Sequence, residues 1–308
     1  MNASSGRADT RGVLCLGEAI VDLICERVLD SPANADSFRP HLGGALANVA
    51  VACRRAGAGA ALLGGAGDDP WGRRMRDALR DEGVGLEWFE LAAGAPTAIA
   101  LVSFDRDREP GFEVYGEGIE RAMVAAELHL EPAIAACDAL TFGSNTLVTE
   151  AERAMTLRAR ELALEAGKPV LIDPNLRPTR WERLEDALEL SRSLFEGAFI
   201  VRTNDAEARL LTGRDDSAAA AEELVALGAR LAVVTLGADG ALVRGEAVAH
   251  APGVEVEVVS TLGAGDAFMG TLAAGLSKAG WEAARADEAL PDAVAASAEA
   301  CKIWGAWA

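Results

Sequence analysis

Val170-Leu171-Ile172-Asp173-Pro174-Asn175-Leu176-Arg177 is an apolar triplet that breaks abruptly into charge and amide groups. The triplet reads as a short buried strand, because it is branched, apolar and closed by a Pro turn. The polar residues 173–177 then lie at that strand's carboxyl end, and a helical pattern over 181–195 follows. The same unit recurs on both sides. Strands are expected at 139–142, 199–201 and 231–235, with helices over 149–166, 205–211 and 218–227. Upstream, 13–17 and 61–65 read as strands and 45–56 as a helix. A further helix starts at the Asp69 cap with Pro70 in its first turn, runs to about 82 and stops at Gly83. This alternation predicts a central, mostly parallel sheet covered on both faces, a three-layer α/β/α fold with ligands at the carboxyl ends of the strands. Downstream, 241–258 reads as a hairpin, and 263–279 and 293–307 as closing helices. Two pieces break the alternation. Segments 97–104 and 111–115, joined by a charged turn over 105–110, read as a hairpin, and 19–25 continues the strand at 13–17 as a second extended piece. With the extended piece 21–38 they form a small β-sheet lid, built from about 21–40 and 95–118.

The chain has 308 residues, half of them hydrophobic, which is ample for one large α/β domain over 13–308. Its 48 acidic and 29 basic residues leave a net charge of -19. That field repels nucleic acid and anionic membrane, so neither is expected as a partner. No apolar run approaches the roughly 18 residues of a membrane span. Residues 1–12 are small and polar, lack the apolar core of a signal peptide, and read as a disordered lead-in. The five cysteines form no C-x-x-C pair and lie mostly in apolar stretches, the pattern of reduced thiols in the cytoplasm. His41, His129 and His250 are too scattered for a metal site.

The chemistry-bearing motifs follow the expected strands. Ahead of Ser260-Thr261-Leu262-Gly263-Ala264-Gly265-Asp266, the run 254–259 reads as a strand, so a Gly-rich turn leads from strand to helix. Unpaired N–H groups at that helix start make an anion hole for a transferring phosphoryl group. Asp266 in the first turn is placed to take a proton from an attacking hydroxyl. A capped glycine turn accounts for the same tetrapeptide when it stands alone. Gly43-Gly44 opens a helix on which Asn48 lies one turn on, a donor and acceptor for sugar hydroxyls, or simply a polar residue on a helix packed through alanines. Asp22 suits a vicinal hydroxyl pair or a surface strand. Arg177 suits a phosphate. Asn204 and Glu207, three apart, suit the water shell of Mg²⁺ or a capping box. Thr235, Gly237 and Gly240 suit a nucleotide's ribose and base, or a plain hairpin loop. Neither a G-x-x-x-x-G-K-[ST] loop nor an early G-x-G-x-x-G is present, which argues against P-loop and dinucleotide enzymes.

Taken in order, Gly17-Glu18 with Asp22, Gly43-Gly44-Ala45 with Asn48, Gly67-Asp68-Asp69-Pro70-Trp71-Gly72, Asp173–Arg177, Asn204 with Glu207, Thr235-Leu236-Gly237 and Gly263–Asp266 resemble the ribokinase-like (PfkB) carbohydrate kinases over about 13–304. The resemblance implies phosphoryl transfer from ATP to a sugar hydroxyl with Mg²⁺, with Asp266 as the base and Gly263, Ala264 and Gly265 as the anion hole. It implies sugar contacts at Asp22, Gly43, Gly44 and Asn48, and places Asn204, Glu207, Thr235, Gly237 and Gly240 on the ATP side. The Asp-Pro-Asn-Leu-Arg segment looks most like the fructokinase branch, whose relatives also phosphorylate 2-keto-3-deoxygluconate and other sugars. Lids of this family pair, so a homodimer through the lid is the expected assembly.

Three departures stand out. Ser260 replaces an Asp that helps hold a monovalent cation in the family, which leaves K⁺ activation open. Gly116-Glu117-Gly118 follows Tyr115 where the lid usually carries Arg. The chain ends at Ala308, where relatives often continue, so closure of the adenine pocket is open too. A nucleoside kinase, or a sugar-sensing relative that has lost catalysis, remains the alternative at this point.

Overall fold

The computed structural model describes residues 12–106 and 110–307. The expected lead-in therefore lies, Gly12 apart, outside the described residues, as do 107–109 of the charged turn. In chain order the strands are β1 (Val13–Glu18), β2 (Ile20–Val28), β3 (Arg39–Gly43), β4 (Ala60–Gly67), β5 (Phe89–Ala92), β6 (Ile99–Phe104), β7 (Pro110–Tyr115), β8 (Ala139–Phe142), β9 (Val170–Ile172), β10 (Ile200–Asn204), β11 (Leu231–Thr235), β12 (Ala241–Gly245) and β13 (Ala249–Ala251). The helices are α1 (Ala45–Arg55), α2 (Pro70–Asp81), α3 (Glu117–Ala126), α4 (Leu130–Ala136), α5 (Glu150–Glu165), α6 (Leu184–Ser193), α7 (Asp205–Thr212), α8 (Ser217–Ala226), α9 (Ala264–Lys278) and α10 (Ala286–Ala300).

Among the described residues the main sheet has nine strands in the order β13-β12-β11-β10-β9-β8-β1-β4-β5. It is parallel from β5 through β11, and β12 and β13 add antiparallel at one edge. β1 shows why the sheet is central. Leu14 and Leu16 pack into a core beneath α3 to α8, while Val13 and Cys15 pack into the opposite core beneath α1, α2, α9 and α10. A strand buried on both faces needs the continuous apolar run that β1 carries. The chain leaves β1 at Glu18 and passes through Ala19 directly into a separate four-stranded sheet, β3-β2-β6-β7. This second sheet forms as the sequence suggests, except that β3 runs on to Gly43 and so delivers the chain straight into α1.

Several expectations need correction. Residues 254–259 are not a strand, and hairpin pairing stops at Ala251. The Val-Glu alternation there has the strand period, but after Pro252 and Gly253 the chain pairs with no neighbouring strand and runs along the rim of a cleft. The last helix spans Ala286–Ala300 rather than 293–307. Pro291 looks like a start signal but lies inside the helix, and the Cys301 carbonyl leaves the helix to accept the N–H groups of Val259 (2.8 Å) and Ser260 (3.2 Å). Helix α6 starts at Leu184, after a short turn over 178–180, instead of at 181. Helices α3 and α4 and strand β5 went unread. In α3 the signal was present, with Ile119, Ala122, Met123 and Ala126 buried at helical spacing, but Gly116 and Gly118 disguised its start.

Candidate active site

The carboxyl ends of β1, β9, β10 and β11 converge with the first turns of α1 and α9 beside the small sheet. A cleft of about 1040 Å³ opens there, walled by Arg177, Arg202, Asn204, Thr235, Gly237, Gly240 and the 263–266 turn. Gly263 caps α9 with φ 78°, a left-handed value that favours glycine, and a Cβ on it would come within 2.5 Å of Ala306. Behind it the Ala264 N–H bonds back to the Thr261 carbonyl at 3.3 Å, and the next two N–H groups of the first turn, on Gly265 and Asp266, lie at the positive end of α9 beside the cleft, the arrangement an anion hole needs. Ser260 is buried, and its hydroxyl accepts the Leu262 N–H at 3.1 Å, which folds the turn without a carboxylate.

Asp266 is 8% exposed. Burial raises its pKa to about 6, with Asp173 adding to the rise. The Asn48 Nδ2–H, donated to Asp266 Oδ2 at 2.8 Å, and the cations Arg177 and Arg202 work against that rise. Asn48 and Asp266 thus meet across the first turns of two neighbouring helices. Asn48 is less free than its sequence suggested, because its Oδ1 accepts the Trp307 indole N–H at 2.8 Å, leaving one amide N–H for a ligand.

Asp22 lies on β2 opposite His41 of β3, buried at 4% exposure. A side chain at Gly43 would collide with its carboxylate, which explains the first glycine of the pair. Burial, followed by repulsion from Asp266, raises the Asp22 pKa to about 7. Gly44 then starts α1 at φ 102°, pressed against the Glu18 carbonyl. Arg177 stands on the other side, its guanidinium 4.4 Å from the Phe112 ring of β7, so it links the polar loop after β9 to the small sheet.

Glu207 and Asn204 form the capping box of α7, with Glu207 N–H donating to Asn204 Oδ1 at 2.8 Å and Asn204 N–H to Glu207 Oε2 at 3.1 Å. The other Glu207 oxygen accepts the Leu176 N–H at 2.7 Å. Glu207 therefore ties the 173–177 loop, with Asn175 at φ 43°, to the start of α7. Thr235 is also committed, accepting from Arg202 Nη2 at 2.7 Å and donating to the Thr203 carbonyl at 3.3 Å. Gly237 and Gly240 wall the cleft beyond it.

The sequence reading passed over Arg202. It is 7% exposed within β10, donates from Nη1 to Asp173 Oδ2 at 3.0 Å, and packs where a Gly265 side chain would stand, Nη1 2.5 Å from that Cβ position. A guanidinium therefore lies directly on Gly265. The signal was an arginine directly after the apolar run 199–201, in a strand expected to be buried, which is costly unless the charge is paired. Asp173 Oδ1 is buried with no hydrogen-bond partner, so one acceptor remains open beside Arg202.

Comparisons with known proteins agree with this geometry. Residues 10–306 match the family described as pfkB family carbohydrate kinase. Fructokinase-1 of Oryza sativa subsp. japonica is 37% identical over 275 residues, covering 87% of this chain and 83% of the rice protein. The structure of fructokinase from Vibrio cholerae O395 bound to fructose, ADP and calcium superposes with a TM-score of 0.80 at 28% identity, over 97% of this chain and 95% of that one. Aminoimidazole riboside kinase from Salmonella enterica, bound to aminoimidazole riboside and an ATP analogue, superposes with a TM-score of 0.78 at 30% identity, over 96% and 95% of the two chains.

Proposed function

This chain belongs to the pfkB family of carbohydrate kinases, and from that premise we propose that it transfers the γ-phosphoryl group of Mg-ATP to a hydroxyl of a small ketose, fructose first. The observation that carries this reading is the junction at Asp266. A buried carboxylate near neutrality stands between hydroxyl-binding groups, Asp22 and Asn48, and an anion hole faced by Arg202.

The residues divide the work as follows. Asp22 and the free Asn48 N–H hold the sugar, and Arg177 closes over it from the loop after β9. Asp266 takes the proton of the attacking hydroxyl as that oxygen bonds to the γ-phosphorus and the bond to the ADP oxygen breaks. The Gly265 and Asp266 N–H groups in the first turn of α9 and the Arg202 guanidinium meet the charge on the transferring group. ATP lies in the cleft along Asn204, Thr235, Gly237 and Gly240. The donor set fits Mg²⁺ held through water, since Asp173 Oδ1 is an unpartnered buried acceptor and Glu207 lies alongside. Bound there, the ion neutralises phosphate charge. The homodimer reading rests on exposed Val28, Phe38 and Tyr115 on or beside the small sheet. A cytoplasmic location rests on five free cysteines, four of them buried. Among the described residues, no helix is long and apolar enough to cross a membrane.

The test is ADP formation across a panel of sugars and nucleosides, run in Na⁺ and in K⁺. Sugar-dependent turnover is expected, with fructose best. A nucleoside as best acceptor transfers the reading to the riboside kinases, and no turnover with any acceptor rejects it. Asp266 acts as a base only when ionised, so kcat/KM is expected to fall as pH drops through about 6.

Asp22 supplies a second prediction. Its folded pKa, about 7, exceeds the ordinary 3.8, so the native state holds a proton that the unfolded chain releases. The corresponding stability is present below the unfolded value and lost as pH rises through about 7. Asp22→Asn removes that charge. Denaturant titration at pH 8 should show the variant more stable, by a gain on the order of 1–3 kcal/mol. The gain should vanish in acid, while the sugar KM rises. Equal stability at pH 8 would show that the buried charge costs nothing.

A further inference from the structure

After α10 the chain turns back along the site. The Trp304 ring meets Phe104 of β6 edge-on, with centroids 5.1 Å apart. Gly305, at φ 84°, presses on His41 of β3, where a Cβ would come within 2.7 Å of the ring Nδ1. Ala306 covers Gly263. These three contacts run from the small sheet to the anion hole and deliver Trp307, 8% exposed, to Asn48.

An indole N–H is a donor only, so it bonds the oxygen of the Asn48 amide and not the nitrogen. An amide whose oxygen faces Trp307 has its NH₂ on the other side, and that is where Asp266 lies. Reversing the amide would set an oxygen against the carboxylate and an N–H against the indole N–H, two repulsive contacts in place of two bonds. We propose that Trp307 is a positioning residue for phosphoryl transfer, whose indole N–H locks the Asn48 amide with its N–H directed at Asp266. The inference rests on the kinase reading with Asp266 as base. It gives the tail a role in the chemistry through Asn48 and without substrate contact.

The lock has a titratable consequence. The charged groups facing Asp266 are Asp173 after β9, Arg177 in the loop that follows, Arg202 on β10 and Asp22 on β2. The Trp307 N–H bonds Asn48 and none of these four, so its loss reaches Asp266 through Asn48. An N–H donated to a carboxylate favours its charged form, and losing it moves protonation to higher pH.

Trp307→Phe keeps an aromatic ring and removes the N–H. Its acid limb of kcat is expected to move up by about half a unit to one unit, with kcat near pH 6 about two- to fivefold lower. Sugar KM should change far less. An unmoved acid limb overturns the proposal, and so does a kcat above wild type, which would make the tail an obstruction. If Trp307→Phe folds poorly, benzothienylalanine installed at 307 keeps the indole shape without the N–H and carries the same expectations. Carbon-13 NMR titration of the Asp266 carboxyl separates this inference from the kinase reading. Its midpoint rises in the variant whether or not the protein turns over a sugar, and a midpoint that stays put overturns the lock. Absence of turnover in wild type with a midpoint that moves would reject the kinase reading alone.

Discussion

Asp266→Asn is expected to lower kcat about 10²–10⁴-fold, the usual loss when a general base is removed. Sugar KM should stay close to wild type. The substitution is isosteric, and the new amide oxygen can still accept the Asn48 N–H that now bonds Asp266 Oδ2 at 2.8 Å. Asp22, the remaining Asn48 N–H and Arg177 are unchanged, so the sugar keeps its partners. Only proton acceptance is lost, and that interaction develops in the transition state, so kcat and kcat/KM should fall together. The anion hole and Arg202 remain, so turnover should not reach zero. The acid limb near pH 6 should also disappear, because the group that titrates there is gone. A kcat within a few-fold of wild type would remove Asp266 from the mechanism. A large rise in KM at unchanged kcat would recast it as a sugar ligand.

How much of this was legible beforehand varies with the physical origin of each signal. β1, β9 and β11 were readable because a strand buried on both faces must be apolar throughout. α2 was readable because Asp69 caps it so fully, with both oxygens accepting backbone N–H groups, from Trp71 and Gly72 and from Thr97. Gly43, Gly44, Asn48 and Gly263–Asp266 were readable as a set, since close approach of backbone to carboxylate or anion admits only glycine. The segment 254–259 misled because alternation reports a two-faced environment, and a cleft rim supplies one without any strand partner. Glu207 carried two meanings that local sequence could not separate, and the hydrogen bond to Leu176 shows a third, its hold on the loop that carries Arg177. Trp307 was illegible altogether. Its role depends on a contact 259 positions away, which no local pattern encodes.

Arg202→Met is expected to damage both folding and turnover, and the two losses can be told apart. Arg202 is buried between Asp173 and Thr235, near the face of Phe268 at 5.7 Å. Removing one member of a buried pair strands the other, at a cost of about 3–5 kcal/mol. Asp173 is the stranded group, and it already shares its surroundings with Glu207 and Asp266. Adding Asp173→Asn removes that orphaned charge, so the double variant should recover much of the stability lost in the single one. Turnover should not follow. Arg202 fills the space over Gly265. On the proposed mechanism the transferring group develops its charge there, and losing one such donor costs about 10²–10³-fold in kcat. Arg202→Lys should fall between, because an ammonium keeps the charge but cannot span Asp173 and Thr235 with a planar fork. Denaturation midpoints and kcat measured on wild type, Arg202→Met, Asp173→Asn and the double variant close the cycle, with Arg202→Lys measured beside them. If the double variant regains activity along with stability, Arg202 acts through folding alone. If stability returns and kcat stays far below that of Asp173→Asn alone, the guanidinium belongs to the anion hole, and the arginine inside β10 is there because the phosphoryl group needs it.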